Sequence, residues 1–285
     1  MERSKLLPRF CFWLTVALTA GSVALRSVAM LVCFDSELGY FNPGILPVLA
    51  DILYPLAVTS AILIAFLVPK GALPTELNDR PHRPAALSMG CALVAFFLTG
   101  MLLSLLKLAD YQAKLLILPI ATALPASVYF FLSAKSHGRF PEKLALVGFI
   151  PVLWSATAIA ETYTDLFTAM NSPVKITLQF GFIGFMLIMV TELRFRLGKA
   201  APRLALALFS IGTFLCLNGS LPLILGAFAG KISHVPHVAY AAALLICGLY
   251  GGYMLLHFTH APATPSAEDT PPAPECREED ASATD

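Results

Sequence analysis

FCFWLTVALTAGSVALRSVAMLVCFDSELGYFNPGILPVLADILYPLAVTSAILIAFLVPK, residues 10–70, is two apolar runs joined by a short polar turn, with one charge in each run, Arg26 and Asp51. The hydrocarbon core of a bilayer, about 30 Å thick, needs about 20 apolar residues of helix whose backbone groups bond within the segment. Both runs meet that requirement, so the stretch reads as a transmembrane helical hairpin. Its turn is centred near Leu38 and Gly39. Counting equally in both directions reaches Arg26 and Asp51, which places each about 10 Å inside the outer boundary at a rise of about 1.5 Å per residue. The two charges are therefore depth-matched on antiparallel neighbours.

The same reading extends along the chain. Apolar segments fall at 10–33, 44–68, 85–108, 113–133, 143–168, 173–193, 203–229 and 236–258. With 57% hydrophobic residues, 13% charged residues and a mean hydropathy of +0.75, a chain of this length has more apolar surface than one soluble core hides. The expected fold class is all-α, an integral membrane bundle of eight transmembrane helices over residues 1–258, with lipid as its main partner. From Thr259 the composition turns to Ala, Pro, Thr and acidic residues, which predicts a disordered acidic cytoplasmic tail over 259–285.

Charge placement orients the bundle. Arg3, Lys5, Arg9, Lys70, Arg80, Arg83, Lys135, Arg139, Lys143, Arg194, Arg196, Lys199 and Arg203 flank one side, thirteen in all, and only Lys107, Lys114, Lys175 and Lys231 flank the other. By the positive-inside rule both termini are cytoplasmic, and the cell membrane is the expected location. The net charge of +1, with basic residues dispersed over loops, argues against a nucleic-acid partner. Residues 1–29 resemble a secretory signal superficially. The apolar run is too long for one and is interrupted by Arg26, so the first helix is read as retained. The six cysteines are scattered without CxxC spacing, which indicates neither a disulfide framework nor a thiolate metal site.

Two features suggest more than a passive bundle. RPAALSMGCALVAFFLTGMLL from Arg83 can be laid on PRLALALFSIGTFLCLNGSLP from Pro202 with Gly100 matched to Gly219, an alignment that raises a parallel four-plus-four repeat of the kind found in transporters. Prolines at 55, 119, 125, 151 and 222 fall inside apolar spans, where kinks are expected.

The polar residues inside the spans form the candidate site. A second outer turn near Met170 pairs Asp165 with Lys175 at the rim and Glu161 with Gln179 one turn deeper. Trp154, Ala158, Glu161 and Asp165 share a helix face, as do Asp51, Tyr54 and Pro55. A charge at the bilayer centre costs about 2.5–3.5 kcal/mol and less near an edge, so Arg26, Asp51 and Glu161 are expected to point into the bundle, with Arg26 bridging the carboxylates. The candidate ligand-binding set is Arg26, Asp51, Tyr54, Glu161, Asp165, Lys175, Gln179 and Asn218. Two readings stay open: an outward-facing pocket for a small polar solute, or a permanent ion-pair network that fixes helix packing.

Other motifs carry less. Asn218-Gly219-Ser220 is a sequon placed too deep for glycosylation and reads as a small-residue helix contact. His234 and His237 flank Pro236, and His257 and His260 close the last span. Neither pair matches HExxH or has an acidic third ligand nearby in sequence, so no metal site is expected. Glu192, Arg194 and Arg196 read as ordinary snorkelling at the inner boundary. There is no GxSxG elbow, P-loop or dinucleotide-binding fingerprint, so neither a cofactor nor a catalytic residue is expected. The leading functional expectation is a permease or ion-coupled carrier of a small polar solute, with Arg26 as anion partner and Asp51 or Glu161 as cation or proton partner. The alternative is a non-transporting sensor or assembly subunit that docks other proteins.

Overall fold

In the computed structural model, residues 2–69, 71–75, 79–105, 117–135, 146–165 and 168–260 are described. The expected tail, 259–285, lies outside them beyond His260. The elements run α1 (Glu2–Val32), β1 (Phe34–Asp35), β2 (Tyr40–Phe41), α2 (Ile45–Leu67), α3 (Asp79–Leu105), α4 (Ile117–Lys135), α5 (Phe149–Thr164), α6 (Pro173–Arg196), α7 (Pro202–Asn218), α8 (Leu221–Phe228) and α9 (Val235–His260).

Seven helical segments are long and apolar enough to cross a membrane: Leu6–Val32, Ile45–Leu67, Arg83–Leu105, Ile117–Lys135, Pro173–Arg196, Pro202–Phe228 and Val235–His260. The chain thus has the character of an all-α membrane bundle suited to a lipid environment. The remaining expected span, 143–168, is represented by the 16-residue α5, and its flanks fall partly outside the described residues. α5 packs between α4 and α6.

The first hairpin turns where the sequence places it. Asp35 Oδ1 accepts from the backbone N–H of Glu37 at 2.8 Å and of Leu38 at 3.1 Å. Gly39 takes φ 72°, a conformation that a Cβ would penalise. The short β1–β2 ladder pairs Phe34 with Phe41 and Asp35 with Tyr40, a small addition to the helical expectation. The turns at this end of the bundle are tied together, since Ser172 Oγ donates to the Gly39 carbonyl at 2.9 Å and Lys231 Nζ reaches the Phe34 carbonyl at 3.5 Å.

The core of the bundle is α6, α7 and α9, with α6 and α7 in backbone contact. A Cβ on Gly212 would lie 2.6 Å from the Gly184 carbonyl oxygen, and one on Gly184 would lie 2.8 Å from the Gly212 carbonyl oxygen. Two helices come this close only when both surfaces lack side chains, which is how membrane helices gain dispersion contacts without a hydrophobic driving force. The two halves of the chain pack differently. α6 contacts α5, α7 and α9, whereas α2 lies on α1 and α7. Gly100 faces Ile120 of α4, while Gly219 faces the Thr177 backbone of α6.

Pro222 ends the continuity of the seventh span. Its missing N–H and its ring clash with the preceding turn leave α7 and α8 separated at Gly219 and Ser220. Pro55 and Pro125 sit inside continuous helices, and Pro151 occupies the first turn of α5, where no intrahelical bond is lost.

Candidate functional site

The polar residues at the end of the bundle that carries the first hairpin turn separate into two centres. In the first, Arg26 of α1 is buried and its Nη1 lies 3.5 Å from Asp51 Oδ1 of α2, a long charge-assisted contact. The guanidinium carbon is 5.1 Å from the centroid of the Tyr54 ring, within cation–π range. Tyr54 packs on Phe214 and Phe180 at centroid distances of 5.3 Å and 6.3 Å, and its buried hydroxyl has no hydrogen-bond partner among the described residues. One turn from Arg26, Ser22 Oγ donates to Asn218 Oδ1 at 2.8 Å, and Asn218 Nδ2 donates to the Phe214 carbonyl at 3.0 Å. Asn218 therefore occupies both amide ends at the α7–α8 break.

Asp51 corrects the expectation that all three charges point inward. Its side chain is 71% exposed. The buried positions of α2 are Pro47, Ala50, Ala57, Ala61 and Ala65, and a residue one step beyond Ala50 is turned about 100° from that stripe at 3.6 residues per turn. Arg26 reaches out to it from within the bundle.

The second centre joins α5, α6 and α9. Trp154, Ala158, Glu161 and Asp165 are all buried, as their shared face predicts. Glu161 Oε2 accepts a hydrogen bond from the Tyr240 hydroxyl of α9. Lys175, also buried, meets Asp165 as the turn count predicts, but its Nζ donates at 2.7 Å to the backbone carbonyl of Asp165. Among the described residues no hydrogen bond joins Glu161 to Gln179 and no ion pair joins Arg26 to Glu161. The tyrosine of α9 takes the place expected for Gln179, and the bridging role assigned to Arg26 is not made. Phe96, Trp154, Phe182 and Tyr240 wall this centre on the apolar side, with centroid separations of 5.3–5.8 Å.

At the rim, His237 Nε2 lies 3.3 Å from Asp165 Oδ2, and the rings of His234 and His237 stand 4.2 Å apart. Asp165, His234 and His237 each offer one ligating atom within 4.8 Å of the others. The histidine pair thus has in space an acidic neighbour that it lacks in sequence. The partner comes from the far end of α5, brought over by tertiary packing. Burial and the neighbouring His237 push His234 down to a pKa of about 4, which keeps its imidazole neutral at neutral pH.

Comparison with protein-family models, curated proteins and solved structures finds no match. The site must therefore be read on its geometry alone.

A third polar group lies at the opposite end of the bundle. Glu192 is fully buried. It accepts from Tyr129 at 2.9 Å, from Tyr250 at 2.7 Å and from Arg196 Nε at 2.8 Å, while Arg196 Nη2 donates to Ser133 at 2.8 Å. Arg194 is exposed, as snorkelling predicts. Glu192 and Arg196 instead knit α4, α6 and α9. Their i, i+4 spacing was visible in sequence, but the tyrosines that complete the group were not. At the same end, a cavity of about 580 Å³ opens between α2 and α7, lined by Ile62, Phe66, Leu73, Arg203, Leu204 and Ile211 among others. It lies away from Arg26, Asp51 and Glu161.

Proposed function

We propose that the protein is a membrane assembly subunit whose outer half docks a partner helix along α2. The observation that carries this reading is Asp51, a carboxylate 71% exposed in the apolar helix α2, with Val48, Ile52 and Leu56 exposed around it. A carboxylate on a lipid-facing surface is disfavoured by up to a few kcal/mol depending on depth. Arg26 offsets only part of that through a 3.5 Å contact. A partner helix bearing a basic or hydroxyl side chain at matching depth would supply the rest. The test is site-directed crosslinking in native membranes from Ile52→Cys, with and without Asp51→Asn. A crosslinked heteromeric product that disappears in the Asn variant is expected. Crosslinking unaffected by the Asn variant, or no protein product at all, refutes the reading.

The same proposal takes the bundle as eight-spanning in the cell membrane with both termini cytoplasmic. The one-sided distribution of basic residues and the packing of α5 between α4 and α6 support it. Thiol labelling of Ser36→Cys from outside, and of Lys199→Cys only after permeabilisation, is the expected pattern.

A second reading, a permease or ion-coupled carrier of a small polar solute, is favoured by the interruption between α7 and α8 at Gly219 and Ser220. Broken membrane helices often mark transport sites, and this one adjoins Asn218, Ser22 and Arg26. Here Asp51→Asn and Glu161→Gln should each abolish solute accumulation in cells, and unchanged transport in both removes the reading.

A further inference from the structure

We propose that Asp165, His234 and His237 form a binding site for a divalent transition-metal ion, zinc by preference, that clamps the outer end of α5 to the start of α9. The inference goes beyond the docking reading and does not depend on it. Its basis is a cluster of donors from two elements whose three ligand atoms all lie within 4.8 Å of one another. His237 is 3% exposed, and among the described residues its Nε2 makes no hydrogen bond although a carboxylate oxygen stands 3.3 Å away. An imidazole nitrogen and a carboxylate oxygen are both ligands for a transition-metal ion, and a cation placed between them would bind both.

The distances suit the ion. Zinc binds imidazole nitrogen at about 2.0–2.1 Å and carboxylate oxygen at about 2.0–2.2 Å, so tetrahedral ligand atoms stand roughly 3.4 Å apart. The His237–Asp165 pair already has that spacing at 3.3 Å. The remaining separations, up to 4.8 Å, close if His234 rotates inward from the loop before α9. The local fold presents both imidazoles on one side. The His234 carbonyl accepts from the backbone N–H of His237 at 3.1 Å, and Pro236 fixes the intervening turn.

The Asp165 carboxylate brings negative charge to the site, and the Lys175 ammonium beside it is bonded to the Asp165 backbone carbonyl. Asp165 also stands at the negative end of the α5 dipole. With three protein ligands, the fourth tetrahedral position would face the outer rim and take water or an exogenous donor. Imidazole with a single carboxylate selects zinc-like ions over calcium or magnesium, which prefer all-oxygen shells.

The test is calorimetric titration of the purified full-length chain in detergent, after chelator treatment, with Zn²⁺ and separately with Co²⁺ as a spectroscopic probe. The expected result is one Zn²⁺ per chain and a Co²⁺ visible spectrum of tetrahedral type. Binding should weaken at least tenfold in His234→Ala and in Asp165→Asn, and stay unchanged in the His257→Ala/His260→Ala double variant at the other end of α9. His234 is only half-buried, so its replacement leaves the helices in place, as an unchanged gel-filtration profile would verify. His234→Gln repeats the measurement should the alanine variant aggregate. Absence of saturable Zn²⁺ binding in the wild type, undiminished affinity in the His234 variants, or loss of binding in the His257/His260 variant overturns the proposal.

Discussion

Replacing Gly212 with alanine should weaken the bundle, although alanine is the better helix former. A Cβ there meets the Gly184 carbonyl oxygen and Ile188 Cγ1, each at 2.6 Å, whereas ordinary contact begins at 3.4 Å. α6 and α7 would have to separate by roughly 0.8 Å, which forfeits a quarter to a half of each dispersion well along the seam. Overpacking of this kind costs about 1–3 kcal/mol. Alanine gains up to about 1 kcal/mol in helix propensity at any exposed or buried helical site, so the control is Gly21→Ala, where nothing lies within 4 Å. The stability difference between the two variants isolates the contact and should be about 1–3 kcal/mol, with Gly212→Ala the weaker. Unfolding in mixed micelles of increasing SDS fraction, followed by tryptophan fluorescence, reads it directly. Gly184→Ala combined with Gly212→Ala should cost less than the two singles together, because the first already opens the shared gap. Equal stability of Gly212→Ala and Gly21→Ala would show that the helices do not touch backbone to backbone, and the described core would be wrong.

Other expectations follow from the buried polar groups. Glu192→Gln removes the carboxylate that pairs with the Arg196 guanidinium at 2.8 Å and should cost about 3–5 kcal/mol, read as a lowered unfolding midpoint. A normal midpoint would contradict the burial of that pair. Tyr240→Phe removes the donor to Glu161 and should cost about 1–3 kcal/mol, with partial recovery on adding Glu161→Gln; additivity of the two changes would dismiss the contact. Truncation after His260 should leave the unfolding midpoint of the bundle unchanged, because the acidic segment is read from sequence as a tail. A lowered midpoint would show that the tail packs on the bundle, and loss of a co-purifying protein would assign docking to the tail instead of α2.

Much of the helical framework was legible because lipid imposes length and apolarity on each span. Arg26 and Asp51 could be matched by counting from a turn, since antiparallel helices of equal rise keep depth in register. The orientation of Asp51 was not legible, because small residues at Ala50, Ala57, Ala61 and Ala65 define the contact stripe of α2 and apolar periodicity is weak when every face is apolar. Counting also brought Lys175 to Asp165, but not the atom it bonds. Glu161 was paired with Gln179 because both lie on one hairpin, whereas the actual partner, Tyr240, arrives from the last helix. The meeting of Asp165 with His234 and His237 is of the same kind. Hairpin arithmetic sees neighbours in sequence, and these partners are neighbours only after α9 has docked.

The order in which the chain emerges gives the Arg26–Asp51 contact another meaning. Ser22 on the first helix waits for Asn218, 196 residues downstream, and the first helix packs against α7, α8 and α9. At about 5–20 residues per second of synthesis, that interval is roughly 10–40 s. During it the first hairpin resides in the membrane without its later neighbours. The Arg26–Asp51 contact joins two helices of that same hairpin, so this tie between them requires none of the helices made later.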